Sequence, residues 1–401
     1  MIMESNYSIN PSPINIINMD YSRQEKKETF PLLRERLDNP YILFENLKKY
    51  TPKITQKEIQ YKYILWKTKI YQNIKYKNKN YVTIETKKED YVTIDRLVDY
   101  FNELPRMKAR RRDKSHSPME VWEKKEIILE PWLLNKSHDT ISLLDMREQI
   151  WKMGFECNAF KATLAISIYK MFQAKRILDF SAGWGDRLLA AIAYDAERYL
   201  GYDPNPELQK GYREMISYFT TNTNLTKYEV KMEAFETANI EETETFDLIL
   251  TSPPYYDFET YISSDKEEAK TQSIVKYPKF NTWMVEFLFK SIFKCWNKLI
   301  IGGNMVIHLS DVYKTNYVEA MIIFILGWCE GSRFDGSIAS IGDCGKPRPL
   351  WVFHKLDSVN ISHEQMMKTR ERMKNHYTEI YTILQVLVYS TGINYFSILR
   401  L

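Results

Sequence analysis

Two strand-end loops constrain this chain more than anything else in it. Residues 176–180 form a short apolar run of the kind that makes a buried parallel strand; it passes into Ser181-Ala182-Gly183-Trp184-Gly185-Asp186, and residues 188–194 continue as a helix rich in Ala, Leu and Ile. Gly183 and Gly185 let the backbone turn sharply and let a ligand approach where a Cβ would otherwise stand. A second apolar run, Phe246-Asp247-Leu248-Ile249-Leu250, ends in Thr251-Ser252-Pro253-Pro254-Tyr255, with Ser252 placed 71 residues after Ser181. Either loop alone fits many proteins. Together they ask for one doubly wound α/β sheet that carries both loops at the carboxyl ends of its strands.

The first loop excludes two common chemistries. Leu188 stands where a nicotinamide-binding G-x-G-x-x-G would have its third glycine, and no Gly-Lys-Ser/Thr follows to cradle phosphates. A further strand, Tyr199-Leu200-Gly201-Tyr202-Asp203, ends in a carboxylate 18 residues after Gly185, where an acid takes the ribose hydroxyls of a nucleoside cofactor. Phe-Ser-Ala-Gly-Trp-Gly resembles the loop of class I S-adenosylmethionine-dependent methyltransferases. The resemblance implies a doubly wound seven-stranded sheet, S-adenosylmethionine as cofactor, and a cofactor site at Asp179, Phe180, Ser181, Gly183, Gly185 and Asp203. It also sets a segment before the loop against the methionine end. Here that segment is Asn158-Ala159-Phe160-Lys161, with Phe160 and Lys161 as candidates against the plainer reading of a helix that covers the sheet. One departure stands out: no Asp ends the third strand, so Glu233, or Phe235 in its place, is left to meet the adenine.

The second loop suits an amine. The lone pair of an exocyclic amine on cytosine or adenine is conjugated into the ring, so the amine needs hydrogen-bond acceptors on its N–H groups while a methyl donor waits in line. Ser252 Oγ is one acceptor, and the two prolines remove N–H donors and leave stiff carbonyls to face the site. Tyr255 offers a face for a base swung out of its stack, worth about 1–3 kcal/mol. The motif order resembles that of the amino-methylating DNA methyltransferases, in which Ser-Pro-Pro-Tyr is the commoner signature of N4-cytosine enzymes and Asp-Pro-Pro-Tyr that of N6-adenine enzymes. The resemblance spans roughly residues 145–355. It places the catalytic site at Ser252, Pro253, Pro254 and Tyr255, matches Tyr261, Gln272 and Trp283 after the motif, and makes the strand after Gly302-Gly303 the fifth. Asp257 and Glu259 are either acceptors of the released proton through water or solvated loop acids.

Other chemistries lack their residues. No Pro-Cys nucleophile of the C5-cytosine type is present, and Cys157, Cys295, Cys329 and Cys344 are too widely spaced for zinc. The six histidines make no metal spacing either, so no metal is expected, and His308 at a strand end reads as a core or rim residue rather than a base. No apolar run approaches the length of a membrane span, and the first residues lack the basic and apolar pattern of a secretion signal, which implies an intracellular protein, cytoplasmic or nuclear.

Charge is distributed unevenly. The net +4 hides a surplus in residues 51–118, which hold 17 basic against 8 acidic side chains. Aromatics interleave with the lysines there (Tyr61, Tyr63, Trp66, Tyr71, Tyr76, Tyr81), and the basic run Arg106, Lys108, Arg110, Arg111, Arg112 follows. Such a segment is an electrostatic footprint for a phosphate backbone. The interval between the two loops is already filled by strands and helices, so the recognition region is expected in residues 1–144, as a smaller mixed α/β domain. Val82-Thr83-Ile84 and Val92-Thr93-Ile94 read as two of its strands. The methyltransferase domain is expected over 145–355, and a helical extension over 356–401, with Met366, Met373, Tyr377, Ile380 and Leu384 on its packing face. The resulting expectation is a DNA methyltransferase acting on N4 of cytosine. N6-adenine methylation of DNA, RNA base methylation and a silent nucleic-acid-binding subunit are the alternatives.

Overall fold

The computed structural model describes residues 20–21, 39–57, 81–112, 116–124, 141–142, 149–150, 152–154, 156–221, 225–262, 267–311, 317–342, 347–357 and 363–390. The strands are β1 (Asp20–Tyr21), β2 (Lys53–Lys57), β3 (Tyr81–Glu85), β4 (Arg110–Arg111), β5 (Ile141–Ser142), β6 (Arg176–Asp179), β7 (Arg198–Tyr202), β8 (Tyr228–Lys231), β9 (Phe246–Thr251), β10 (Glu259–Thr260), β11 (Leu299–His308), β12 (Ser332–Ile341) and β13 (Pro347–Lys355).

Nine of them form one sheet in the order β2-β3-β12-β13-β11-β9-β6-β7-β8. From β8 to β11 every pair is parallel, and β13 enters antiparallel between β11 and β12. The central strands are apolar because helices cover both faces, as a parallel sheet requires. Ile177, Leu248, Leu250 and Val306 point into one core with the helices Ala162–Phe172 and Asp186–Tyr194; Leu178, Ile249, Met305 and Ile307 point into the other, with Trp283–Phe289, Lys290–Lys298 and Tyr317–Trp328. This is the doubly wound class I methyltransferase-like sheet that the loops imply. The chain winds outward from β6 through β7 to β8, then returns to β9 on the opposite side of β6 and winds the other way. The switch point therefore falls between β6 and β9, the strands that end in the two loops, and ligands of such sheets sit in the crevice beyond it.

The N-terminal region departs from the expected separate domain. β3 pairs in parallel with β12, and β2 pairs with β3, so both lengthen the main sheet. Leu47, Ile84, Leu97 and Phe101 share a core with Leu188 and Leu248. Val92 and Thr93, expected as a strand with Ile94, belong to the helix Lys88–Thr93, and Ile94 follows it as a buried cap residue. The reason is local: the Lys87 N–H donates to the Asp90 carboxylate and two acids occupy the first turn, which outweighs the β preference of Val-Thr-Ile. Most of the interleaved aromatics, from Tyr61 to Tyr76, lie outside the described residues. At the other end, two helices stand where one was expected, His363–His376 and Thr378–Ser390. Met366, Met373, Ile380 and Leu384 are buried there, as the spacing implies.

Candidate functional site

A cleft of about 390 Å³ opens over the carboxyl ends of β6, β7, β9 and β11, within the range of about 300–1,000 Å³ usual for small-molecule sites. It receives both loops: Phe180, Ser181 and Gly183 line one side, and Ser252, Pro253, Pro254 and Tyr255 the other.

The first side is held by an internal polar lattice. Gly183 and Gly185 take positive φ values of 62° and 108°, and a Cβ on Gly185 would stand 2.7 Å from Met215 Sδ. Asp179 was expected at the cofactor. It is instead sealed beneath the loop, accepting from Arg187 Nε at 2.6 Å, Tyr199 OH at 2.8 Å and the Ser181 N–H at 3.2 Å. Gly185 likewise shapes the turn without lining the cleft. Arg187, which no sequence motif singles out, is buried at the cleft lining and also donates to the Ser181 carbonyl, so one guanidinium ties strand, loop and helix together. Asn102, from the helix Asp99–Lys108, donates to the Trp184 carbonyl at 2.8 Å and clamps the loop from outside.

Asp203 lines the cleft and accepts the Gly183 N–H at 2.9 Å through Oδ2 and the Asn205 N–H at 3.0 Å through Oδ1. Enclosure raises its carboxyl to about 6, against the lowering effect of those two amides. Phe235 stacks on Phe180 at 5.6 Å between ring centres, and both line the cleft with Ala234 and Glu236. Glu233 is exposed and outside the lining, so Phe235 is the member of that pair that faces the cleft. Phe160 lines the cleft beneath the Arg187 guanidinium. Lys161 turns away to donate to Thr86 Oγ1 at 3.1 Å. Asp186 is buried at the lining with Oδ1 unpartnered among the described residues, and burial together with the nearby Asp95 pushes its carboxyl up to about 7.

The second side is assembled from distant pieces. Parallel pairing of Ile307 with Thr251 sets His308 beside Ser252. Ser252 Oγ lies 3.3 Å from both Nδ1 and the carbonyl oxygen of His308, and Tyr255 OH lies 3.5 Å from Nδ1. Burial first, then the cations Arg348 and Arg187, lowers the imidazole to about 3, so it is neutral at ordinary pH. After the motif, Gln272 fixes the chain: its Oε1 accepts the Tyr261 N–H at 2.8 Å and the Ile262 N–H at 3.1 Å, while Nε2 donates to the Ile262 carbonyl at 2.8 Å. Trp283 is fully buried and donates to Ser273 Oγ at 3.0 Å, so it supports this loop from below. Of the two loop acids, Glu259 lines the cleft, accepts from Tyr261 OH at 2.7 Å and is raised by burial; Asp257 is paired outside with Arg112.

The basic run divides three ways. Arg106 does not face solvent: it is buried in ion pairs with Asp99 and Glu156, which corrects its expected place on a phosphate. Lys108 lies 3.3 Å from Glu207. Arg110 and Arg111 form β4, which pairs antiparallel with β10, and the Arg112 N–H donates to the Phe258 carbonyl at 2.8 Å. The strand is thus bound to the loop after Tyr255, and Arg111 lies over the Phe258 ring at the cleft. Arg348, on β13, reaches the same rim.

No family model matches the chain, and no curated protein sequence does. Among solved structures it is similar to TrmN from Thermus thermophilus, with 13% identity and a TM-score of 0.35 over 50% of each chain. An rRNA methylase from Streptococcus thermophilus gives 11% identity and a TM-score of 0.33 over 50% of this chain and 100% of that one. The N-methyltransferase NodS from Bradyrhizobium japonicum gives 12% identity and a TM-score of 0.33 over 49% and 94%. The chain spans half the length of TrmN. At such scores the fold rests on the strand order rather than on these likenesses. Among the described residues no helix is long and apolar enough to cross a membrane, and no group of His, Cys, Asp or Glu could hold a metal ion.

Proposed function

We propose that this protein is an S-adenosylmethionine-dependent methyltransferase acting on the exocyclic amine of a flipped base in DNA, N4 of cytosine. One observation carries the reading: the glycine loop with its Asp203 and the Ser252-Pro253-Pro254-Tyr255 turn leave strands on either side of the sheet's switch point and open into a single cleft. Each side suits its half of the reaction. Asp203 keeps lone pairs for ribose hydroxyls after taking two main-chain N–H groups, and Phe180 with Phe235 makes an apolar wall for adenine. When bound, S-adenosylmethionine supplies a methyl group on a positively charged sulfur. Ser252 Oγ and one carbonyl of the Pro253-Pro254 segment, whose prolines carry no N–H, accept the two N–H groups of the target amine and hold its nitrogen in line. Glu259, enclosed and shifted upward, is suited to hold the proton that leaves the nitrogen. Ser252, at the position where the N6-adenine enzymes that the motif resembles more commonly carry Asp, is the feature of that resemblance that favours cytosine over adenine. Arg110 and Arg111 on β4, which pairs with β10, and Arg348, which with Arg111 lines the cleft, give the phosphates beside a flipped nucleotide cations to meet.

The test is methyl transfer from labelled S-adenosylmethionine to DNA and RNA of mixed sequence, followed by digestion to nucleosides and mass identification. Labelled N4-methylcytosine from DNA is the expected product. N6-methyladenine would move the target base, label in RNA alone would move the substrate class, and no label with the cofactor bound would leave a silent subunit.

A further inference from the structure

His308 lines the cleft and belongs to neither loop motif. Its main chain is fixed by the pairing of β11 with β9, and its ring packs edge-on against Phe160 with centres 5.4 Å apart. Two hydroxyls surround it. Ser252 Oγ is 3.3 Å from Nδ1 and 3.3 Å from the carbonyl oxygen, and Tyr255 OH is 3.5 Å from Nδ1. A hydroxyl is both donor and acceptor, so it is ambivalent toward a ligand until something takes its proton. A conjugated exocyclic amine offers N–H donors and almost no lone pair; a hydroxyl proton aimed at it would repel it.

His308 supplies one acceptor for each hydroxyl proton: its carbonyl oxygen for Ser252 and an unprotonated Nδ1 for Tyr255. The arrangement works with one tautomer, the one protonated at Nε2. The opposite tautomer would direct an N–H at the two oxygens and occupy the lone pairs that the amine needs. The ring is also buried beside two guanidinium groups, Arg187 and Arg348, which disfavour a third positive charge, so it is a poor sink for the proton released by the amine.

Resting on the amine-methylation reading, we infer that His308 is a positioning residue that, as the Nε2–H tautomer, takes the hydroxyl protons of Ser252 and Tyr255, so that neither hydroxyl aims a proton at the target and Ser252 Oγ is fixed as an acceptor beside the Pro253-Pro254 carbonyl; the cleft then selects bases with an amine over bases with a carbonyl at that position. Cytosine and adenine present the required N–H groups; thymine and uracil would turn a carbonyl oxygen toward two sets of lone pairs and be refused.

Two measurements test this on the full chain. The first is single-turnover methyl transfer to mixed-sequence DNA, with cofactor affinity measured alongside. His308→Phe keeps a ring against Phe160 but removes the Nδ1 acceptor, and should slow transfer about 10- to 100-fold while leaving S-adenosylmethionine affinity within about twofold. His308→Asn, whose amide oxygen can stand near the Nδ1 position, should recover to within about fivefold of wild type. A His308→Phe variant at the wild-type rate, or a His308→Asn variant no faster than it, overturns the assignment. The second is ¹⁵N NMR of the histidine rings, which needs neither turnover nor a variant that folds. A ring protonated at Nε2 and unprotonated at Nδ1 from about pH 5 to 8 is expected; the other tautomer, or titration in that window, overturns it. Should the wild type transfer no methyl to any nucleic acid, the broader reading falls and the NMR result alone judges His308.

Discussion

The two sides of the cleft are built in opposite ways. On the cofactor side, Asp179, Ser181, Gly183, Arg187, Tyr199 and Asp203 bond to one another within a short stretch of chain, and nearly every polar group has a partner before a ligand arrives. The target side gathers residues around 111, 252–261, 308 and 348, joined through strand register and a two-residue pairing between β4 and β10. A nucleoside cofactor is the same molecule in every turnover, so a rigid, pre-bonded wall serves it. A base that must leave its helix needs a surface that spans the cleft and its charged rim, which no single segment can supply.

That contrast predicts an ordered set of effects. Arg187→Met should be the most damaging change, because it strands Asp179 as a buried charge. A loss of about 3–5 kcal/mol in urea denaturation is expected, and a loss under about 1 kcal/mol would show that the lattice does not hold the cofactor wall. Ser252→Ala should come next, with transfer slowed about 10- to 100-fold and neither stability nor S-adenosylmethionine affinity altered; weakened cofactor binding would erase the division between the two sides.

Asp203→Asn should reverse that pattern, weakening cofactor affinity about tenfold through loss of charge-assisted bonds to ribose. pH sharpens the test. The Asp203 carboxyl is raised from 3.8 to about 6 in the folded chain, so the folded state holds this proton more tightly than the unfolded state does. Its contribution to stability is greatest below 3.8 and is lost as pH rises toward 6. Cofactor affinity should climb over the same interval as the carboxylate forms. Asp95 and Asp186 are shifted upward as well, so the informative quantity is the difference between wild type and Asp203→Asn. The smallest effect belongs to the rim. Arg110→Gln and Arg111→Gln should each reduce the salt slope of nucleic-acid binding by about one and lower affinity alike for all sequences. An unchanged slope would remove β4 from the phosphate path.

How much of this could be read from the residues alone follows the same line. The glycine loop, Asp203 and the Ser252-Pro253-Pro254-Tyr255 turn are local patterns, and each lies on the strand end that its apolar run implies. The C-terminal packing face was legible too, since a helix repeats its buried positions at fixed spacing. What escaped depends on contacts far apart in sequence. His308 looked like a core or rim histidine because only the register of β11 on β9 sets it beside Ser252. Arg106 and Arg111 looked alike in a basic run; burial against Asp99 and Glu156 takes one inward, and pairing with β10 brings the other to the cleft. Val92-Thr93 has strand-like composition, but a capping carboxylate three residues after Lys87 decided for helix. The merging of β2 and β3 into the main sheet left no local mark at all.

The measurement that tests the central claim most directly is calorimetric titration of S-adenosylhomocysteine into the wild-type chain, Asp203→Asn and Ser252→Ala. The two-sided cleft predicts saturable binding to one site in the wild type, the same affinity in Ser252→Ala, and affinity about tenfold weaker in Asp203→Asn. No binding to the wild type, or equal weakening in both variants, would contradict it.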